Sequence, residues 1–261
     1  MTWTDRLAPS LDDFALLAKQ AFDALPDDFR KLSGDVVIRV DDFPTEDVLE
    51  SLGIEDPFEL TGLYQGVDLG HRSVLDYGTE PSRVFLYRRP ILDEWAERGD
   101  VALGELITHV LVHELGKVAT VIGPPSAVFE EGWGVVQAPS LADFANVAEQ
   151  ALANLPSAIR AAVGDVQIRI EEFADRETLD ALEIDDAFEL TGVYEGIDLT
   201  KRSLFDVAPT PSNIRLFRRP ILDEWSEGEE GFQSLVEHVF VHEVAHHFGF
   251  TDAGIEYVEQ S

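Results

Sequence analysis

The sequence predicts an α+β protein made of two tandem copies of one small domain. Three observations lead there: long segments recur at one fixed spacing, each copy alternates helical and strand-like hydrophobic patterns, and a proline- and glycine-bearing stretch separates the copies.

The repeat decides the architecture. Asp13-Phe14-Ala15 recurs as Asp143-Phe144-Ala145, and Gly34-Asp35-Val36 as Gly164-Asp165-Val166. Phe58-Glu59-Leu60-Thr61-Gly62 returns as Phe188-Glu189-Leu190-Thr191-Gly192, and the eight residues from Arg88 to Trp95 reappear unchanged from Arg218 to Trp225. From Asp12 to Trp95 about half the positions match without a gap. That period is far too long for a solenoid unit. The expected boundaries are residues 1–124 for the first copy, 125–139 for a linker and 140–261 for the second.

Each copy opens with an amphipathic helix. In the first, Ser10 is the expected N-cap, and Phe14, Leu17, Ala18, Ala21, Phe22 and Leu25 form one apolar stripe that stops at Pro26. A β-branched strand follows, Val36 to Val40 and Val166 to Ile170, then a short helix near Glu46 to Leu52. Leu60 to Leu69 reads as a loop or hairpin, and a second strand, Arg83 to Arg89 and Asn213 to Arg219, is expected to end at a proline. The last element is a helix carrying His109 and His113 in the first copy and His238, His242 and His246 in the second. The stretch from Gly123 to Ser140, with Pro124-Pro125 and Pro139, joins the copies.

Composition narrows the classes of function. Of 261 residues, 45% are hydrophobic and 27% charged, as in an ordinary globular protein. A formal net charge of -32 repels nucleic acid and anionic membrane surfaces, and no apolar run has membrane-spanning length. The acid is scattered in short groups such as Asp12-Asp13 and Glu171-Glu172, which reads as a solvated surface. Met1 to Ser10 has neither the basic nor the apolar region of a signal peptide. Cysteine is absent, so a metal site must draw on His and carboxylates, and a cytoplasmic location is the simplest reading.

The second copy carries such a site. On a helix, His242 and His246 are four residues apart and face the same way, so both imidazoles reach one ion. Glu243 is placed to take a proton from the attacking water. Gly249 can turn the chain back, and Asp252 is then near enough to give a third, carboxylate ligand. Three protein ligands and an open position describe catalytic zinc rather than structural zinc.

At this point the sequence resembles a known family. The run from His242 to Asp252, with Leu190 to Gly196 and Phe217 to Ile221 upstream, is similar to the minimal zincin-like metallopeptidases, small bacterial domains with a mixed sheet and an active-site helix. The resemblance covers nearly all of both copies. It implies a zincin-like fold for each copy, His242, His246 and Asp252 as ligands of one zinc ion per chain, Glu243 as general base, and a peptide or protein substrate. The motif also follows the metzincin layout, with Asp in place of a third His.

The first copy departs from the pattern. His113 and Glu114 match His242 and Glu243, but Lys117, Thr120 and Gly123 stand where His246, Gly249 and Asp252 stand. Two of three ligands are gone and an ammonium opposes a dication, so this copy is expected to be metal-free.

Three neighbours of the motif have two readings each. His238, one turn before His242, either backs the ligands or is a structural histidine; its counterpart His109 in the metal-poor copy favours the latter. His247 lies on the next face, as a surface residue or as a support for the ligands. Tyr194 either stabilises an oxyanion or packs, and its counterpart Tyr64 favours packing. Arg88, Arg89, Arg218 and Arg219 read as partners of the plentiful carboxylates, and Trp95 and Trp225 as core.

The expected function is peptide-bond hydrolysis by metal-activated water in the second copy, with the first an inactive scaffold paired to it within the chain. The alternative is a non-catalytic two-domain binding protein that retains a structural or recognition zinc.

Overall fold

In a computed structural model the described residues are 3–27, 30, 36–66, 82–116, 127–164, 166–196, 212–251 and 255. The chain forms two compact units: an N-terminal unit, Pro9–Ala138, and a C-terminal unit, Pro139–Ser261 together with Met1–Ala8. Both have the same α+β build, as the tandem repeat predicts.

The N-terminal unit starts with α1 (Leu11–Asp23). Ser10 Oγ accepts the Asp13 N–H at 3.1 Å and the Asp13 carboxylate accepts the Ser10 N–H at 2.8 Å, so two backbone donors that the helix cannot satisfy are capped reciprocally. Phe14, Leu17, Ala18, Ala21 and Leu25 are buried, as the apolar stripe requires. Then come β1 (Val37–Asp41), α2 (Glu46–Leu52), β2 (Gly62–Gln65), β3 (Arg83–Tyr87), α3 (Arg88–Arg98) and α4 (Leu103–Gly116). The sheet has the order β1-β3-β2, with β1 parallel and β2 antiparallel to the central β3. Val84 and Leu86 of β3 are fully buried, while α4 lays Leu106, Ile107 and Leu111 into the same core.

The C-terminal unit repeats the plan. It runs α5 (Leu141–Asn154), α6 (Ser157–Val163), β4 (Gln167–Glu171), α7 (Arg176–Leu182), β5 (Gly192–Glu195), β6 (Asn213–Phe217), α8 (Arg218–Glu227) and α9 (Phe232–His247). The sheet order is β4-β6-β5, with Gly192 opposite Leu216 and Tyr194 opposite Ile214. Alternation along β5 turns Gly192 and Tyr194 toward α9 and sends Val193 to the other face, where it packs with Phe217 and Leu179.

The end of the second strand differs from the sequence expectation. The proline after the second strand does not close it. The strand ends at Tyr87 or Phe217, and the prolines Pro90 and Pro220 sit in the first turn of α3 and α8. A first-turn residue has no intrahelical acceptor for its N–H, so proline is tolerated there. The repeated Arg-Arg-Pro segment thus starts a helix. Arg88 Nη1 donates to the Pro9 carbonyl at 3.1 Å and Nε to Asp42 at 2.6 Å; Arg218 Nε donates to the Pro139 carbonyl at 2.6 Å and Nη1 to Glu172 at 2.9 Å. Arg89 and Arg219 lie over the rings of Phe43 and Phe173 at 4.9 and 5.2 Å. Trp95 and Trp225 are buried core residues.

Two short segments complete the units. In the C-terminal unit Trp3 packs edge-on against Trp225, with ring centroids 6.1 Å apart, and lies tilted against Phe232 at 5.4 Å. The Arg6 carbonyl accepts from Trp225 Nε1 at 3.0 Å and from the Phe232 N–H, the first of α9, at 2.9 Å. In the N-terminal unit Trp133 packs edge-on against Trp95 at 6.2 Å, and the Val136 carbonyl accepts from the Leu103 N–H, the first of α4, at 2.9 Å.

Candidate metal centre

Helix α9 carries the motif, and its 3.6-residue period puts His242 and His246 one above the other, with ring centroids 4.9 Å apart. An imidazole nitrogen of each and a Glu243 carboxylate oxygen lie within 4.8 Å of one another. The two histidines are half-buried at a cleft of about 620 Å³ and Glu243 is buried at its wall. Tyr194, His238 and Glu224 line the same cleft.

Local chemistry prepares these groups. His246 Nδ1 lies 3.0 Å from the Phe250 carbonyl, and that acceptor selects the tautomer with the proton on Nδ1 and the lone pair on Nε2. The carbonyl reaches this place because the chain turns at Gly249, whose φ is 83°, a conformation that glycine adopts without strain. Glu243 has room because β5 presents Gly192: a Cβ there would stand 3.0 Å from Glu243 Cγ and 3.1 Å from its Oε1. Two imidazoles beside one carboxylate, with one tautomer already set, are a donor set that suits zinc. Asp252, the expected third ligand, lies outside the described residues, as do Lys117, Thr120 and Gly123 of the first copy.

The neighbours divide. His247 is fully buried, and its Nδ1 stands 2.9 Å from the Tyr194 hydroxyl, which in turn is 3.0 Å from Ser212 Oγ. His238 is exposed along the cleft. In the N-terminal unit the Tyr64 hydroxyl donates to Ser82 Oγ at 2.9 Å, so the tyrosine–serine pair is common to both copies. Glu114, the counterpart of Glu243, is buried and accepts the Tyr64 N–H of β2 at 3.0 Å. Glu114 therefore serves the backbone of a strand.

Two features escaped the sequence reading. Glu224, in the repeated Arg-Arg-Pro segment, borders the cleft, and burial pushes its carboxyl above the usual range while His238 partly opposes the shift. Repetition in both copies marked this residue only as part of the fold. The second is Arg215 on β6, a buried guanidinium that donates to Glu171 at 2.6 Å, Asp175 at 2.7 Å, Glu195 at 2.8 Å and Thr178 at 3.0 Å. It ties the ends of β4 and β5 to the start of α7. The matching residue of the first copy is Phe85.

The model of the zincin-like metallopeptidase family matches residues 33–121 and 163–261, once in each copy. The chain belongs to this family. The family match in the first copy extends to a domain without the complete motif, so membership there speaks for the fold. Comparison with curated proteins gives no match. Among the described residues of this zincin-like protein no helix is long and apolar enough to cross a membrane.

Proposed function

We propose that the C-terminal copy is a zinc-dependent peptidase and that the N-terminal copy is a metal-free scaffold. The observation that carries this reading is the convergence of His242, His246 and Glu243 donor atoms within 4.8 Å of one another at an open cleft. His242, His246 and Asp252 hold one zinc ion per chain. When bound, zinc supplies Lewis-acid activation of water and polarises the scissile carbonyl. Glu243 accepts the proton of the attacking water and passes it to the leaving amine, a transfer suited to a carboxylate held in place but open to the cleft. The Phe250 carbonyl keeps His246 in the tautomer that leaves Nε2 for the ion. Tyr194, held by His247 and Ser212, supports the wall against which substrate lies. The sequence of 261 residues without cysteine suits the reducing cytoplasm.

The test is Glu243→Gln. It removes the base while keeping size and hydrogen bonding, so hydrolysis of a mixed peptide library should fall by two orders of magnitude or more, on the order of what general bases contribute. Zinc content should be unchanged. Hydrolysis that survives the change ends the proposed role of Glu243, and a chain that binds zinc but cleaves nothing in its wild-type form is a binding protein.

A further inference from the structure

We propose that residues 3–8 and 133–138 are one docking segment written twice and exchanged between the copies, so that the ligand-bearing helix α9 is completed by the segment that precedes the first copy.

The two segments are equivalent in sequence. Trp3 stands seven residues before the cap Ser10 and Trp133 seven before Ser140, and Ala8-Pro9-Ser10 is repeated as Ala138-Pro139-Ser140. They are equivalent in contact as well. Each tryptophan meets the buried tryptophan of an Arg-Arg-Pro helix edge-on, at 6.1 Å and 83° for Trp3 and 6.2 Å and 82° for Trp133. Three residues on, each offers a carbonyl to the first N–H of the final helix, at 2.9 Å in both cases. That N–H has no acceptor inside its own helix, so the segment supplies what the helix start lacks.

Their hosts are crossed. The segment before the first copy belongs to the C-terminal unit, and the segment before the second belongs to the N-terminal unit. The crossing point is fixed by buried arginines: Arg88 holds the Pro9 carbonyl and Arg218 the Pro139 carbonyl, each in the copy that follows the segment. Proline stays with its own copy while the residues before it complete the other. The receiving surface on the C-terminal unit is specific to its occupant. Gly231 leaves room for the Asp5 backbone, since a Cβ there would stand 2.9 Å from Asp5 Cα, and Trp225 with Phe232 forms the aromatic floor under Trp3.

The metal-poor copy is therefore retained together with a segment that the metal-bearing helix needs. This does not depend on zinc, so the experiment uses the metal-free full chain and its failure is distinct from that of the peptidase reading. Amide hydrogen exchange is compared in wild type, Trp3→Ala and Trp133→Ala. Trp3→Ala should speed exchange about tenfold or more at residues 232–240 and leave 103–111 unchanged; Trp133→Ala should do the reverse. The crossed pattern separates docking from general damage. Acceleration confined to each segment's own following copy, acceleration in both copies alike, or no acceleration overturns the proposal.

Discussion

The Tyr194 hydroxyl stands 2.9 Å from Nδ1 of His247 and 3.0 Å from Ser212 Oγ, at a place where the other copy joins Tyr64 to Ser82 at 2.9 Å. Val118 is the counterpart of His247 in the sequence, so the histidine beside the tyrosine–serine pair belongs to the motif-bearing copy. Tyr194→Phe strips a polar partner from a buried ring and should cost about 1–3 kcal/mol, whereas Tyr64→Phe should cost about 1 kcal/mol. Hydrogen exchange in β5 and β2 measures both. Equal costs would show that His247 gains nothing from the hydroxyl.

Arg215→Phe installs the residue of the first copy. It leaves Glu171, Asp175 and Glu195 facing one another without their common cation, and should destabilise the C-terminal unit by about 1–3 kcal/mol, since the carboxylates are part-exposed and rehydrate. β5 should exchange faster, because Glu195 is its last residue. Denaturation followed by exchange mass spectrometry reads both effects.

The same cluster sets an acid response. Asp175 is held down to about 2, first by the hydrogen bond from the Thr178 N–H and then by Arg215. A depressed carboxyl contributes stability that is present above its unfolded value, near 4, and lost as pH falls through about 2. The cap of α7 should therefore loosen between about pH 4 and pH 2. In Arg215→Phe the Asp175 carboxyl, followed by NMR, should titrate higher but stay below the ordinary range, because the backbone bond is the larger cause.

Elemental analysis of zinc-loaded chain should give one ion. His246→Ala should remove it and His113→Ala should not, and chelation should lower the melting temperature of the C-terminal unit while sparing the other. Two ions in the wild-type chain would mean that the first copy has found substitute ligands.

Much of this was open to reading from the chain. The caps Ser10 and Ser140, the apolar stripe of α1 and the shared helix face of His242 and His246 follow from local periodicity and capping rules, which act within one or two turns. The helix after each Arg-Arg-Pro segment was hidden because proline stops a strand and also opens a helix, and only the tertiary setting chooses. Arg215 gave no signal, since its partners lie 20 to 44 positions away and no spacing rule joins them. Trp3 is similar: its role depends on Trp225 and Phe232, and the repeat alone does not say which copy it serves.

The bond between the Trp225 indole and the Arg6 carbonyl spans 219 positions, and that distance is also a delay. Residues 3–8 leave the ribosome long before the floor they rest on exists. At about 5–20 residues per second, Trp3 waits roughly 10–50 s until Phe232 has been made. Throughout that interval the Trp3 indole lacks the Trp225 and Phe232 rings against which it packs in the folded unit. The C-terminal unit therefore closes after synthesis has passed the start of α9, and slowing elongation late in the message should lengthen the life of a form in which α9 has an unfinished first turn.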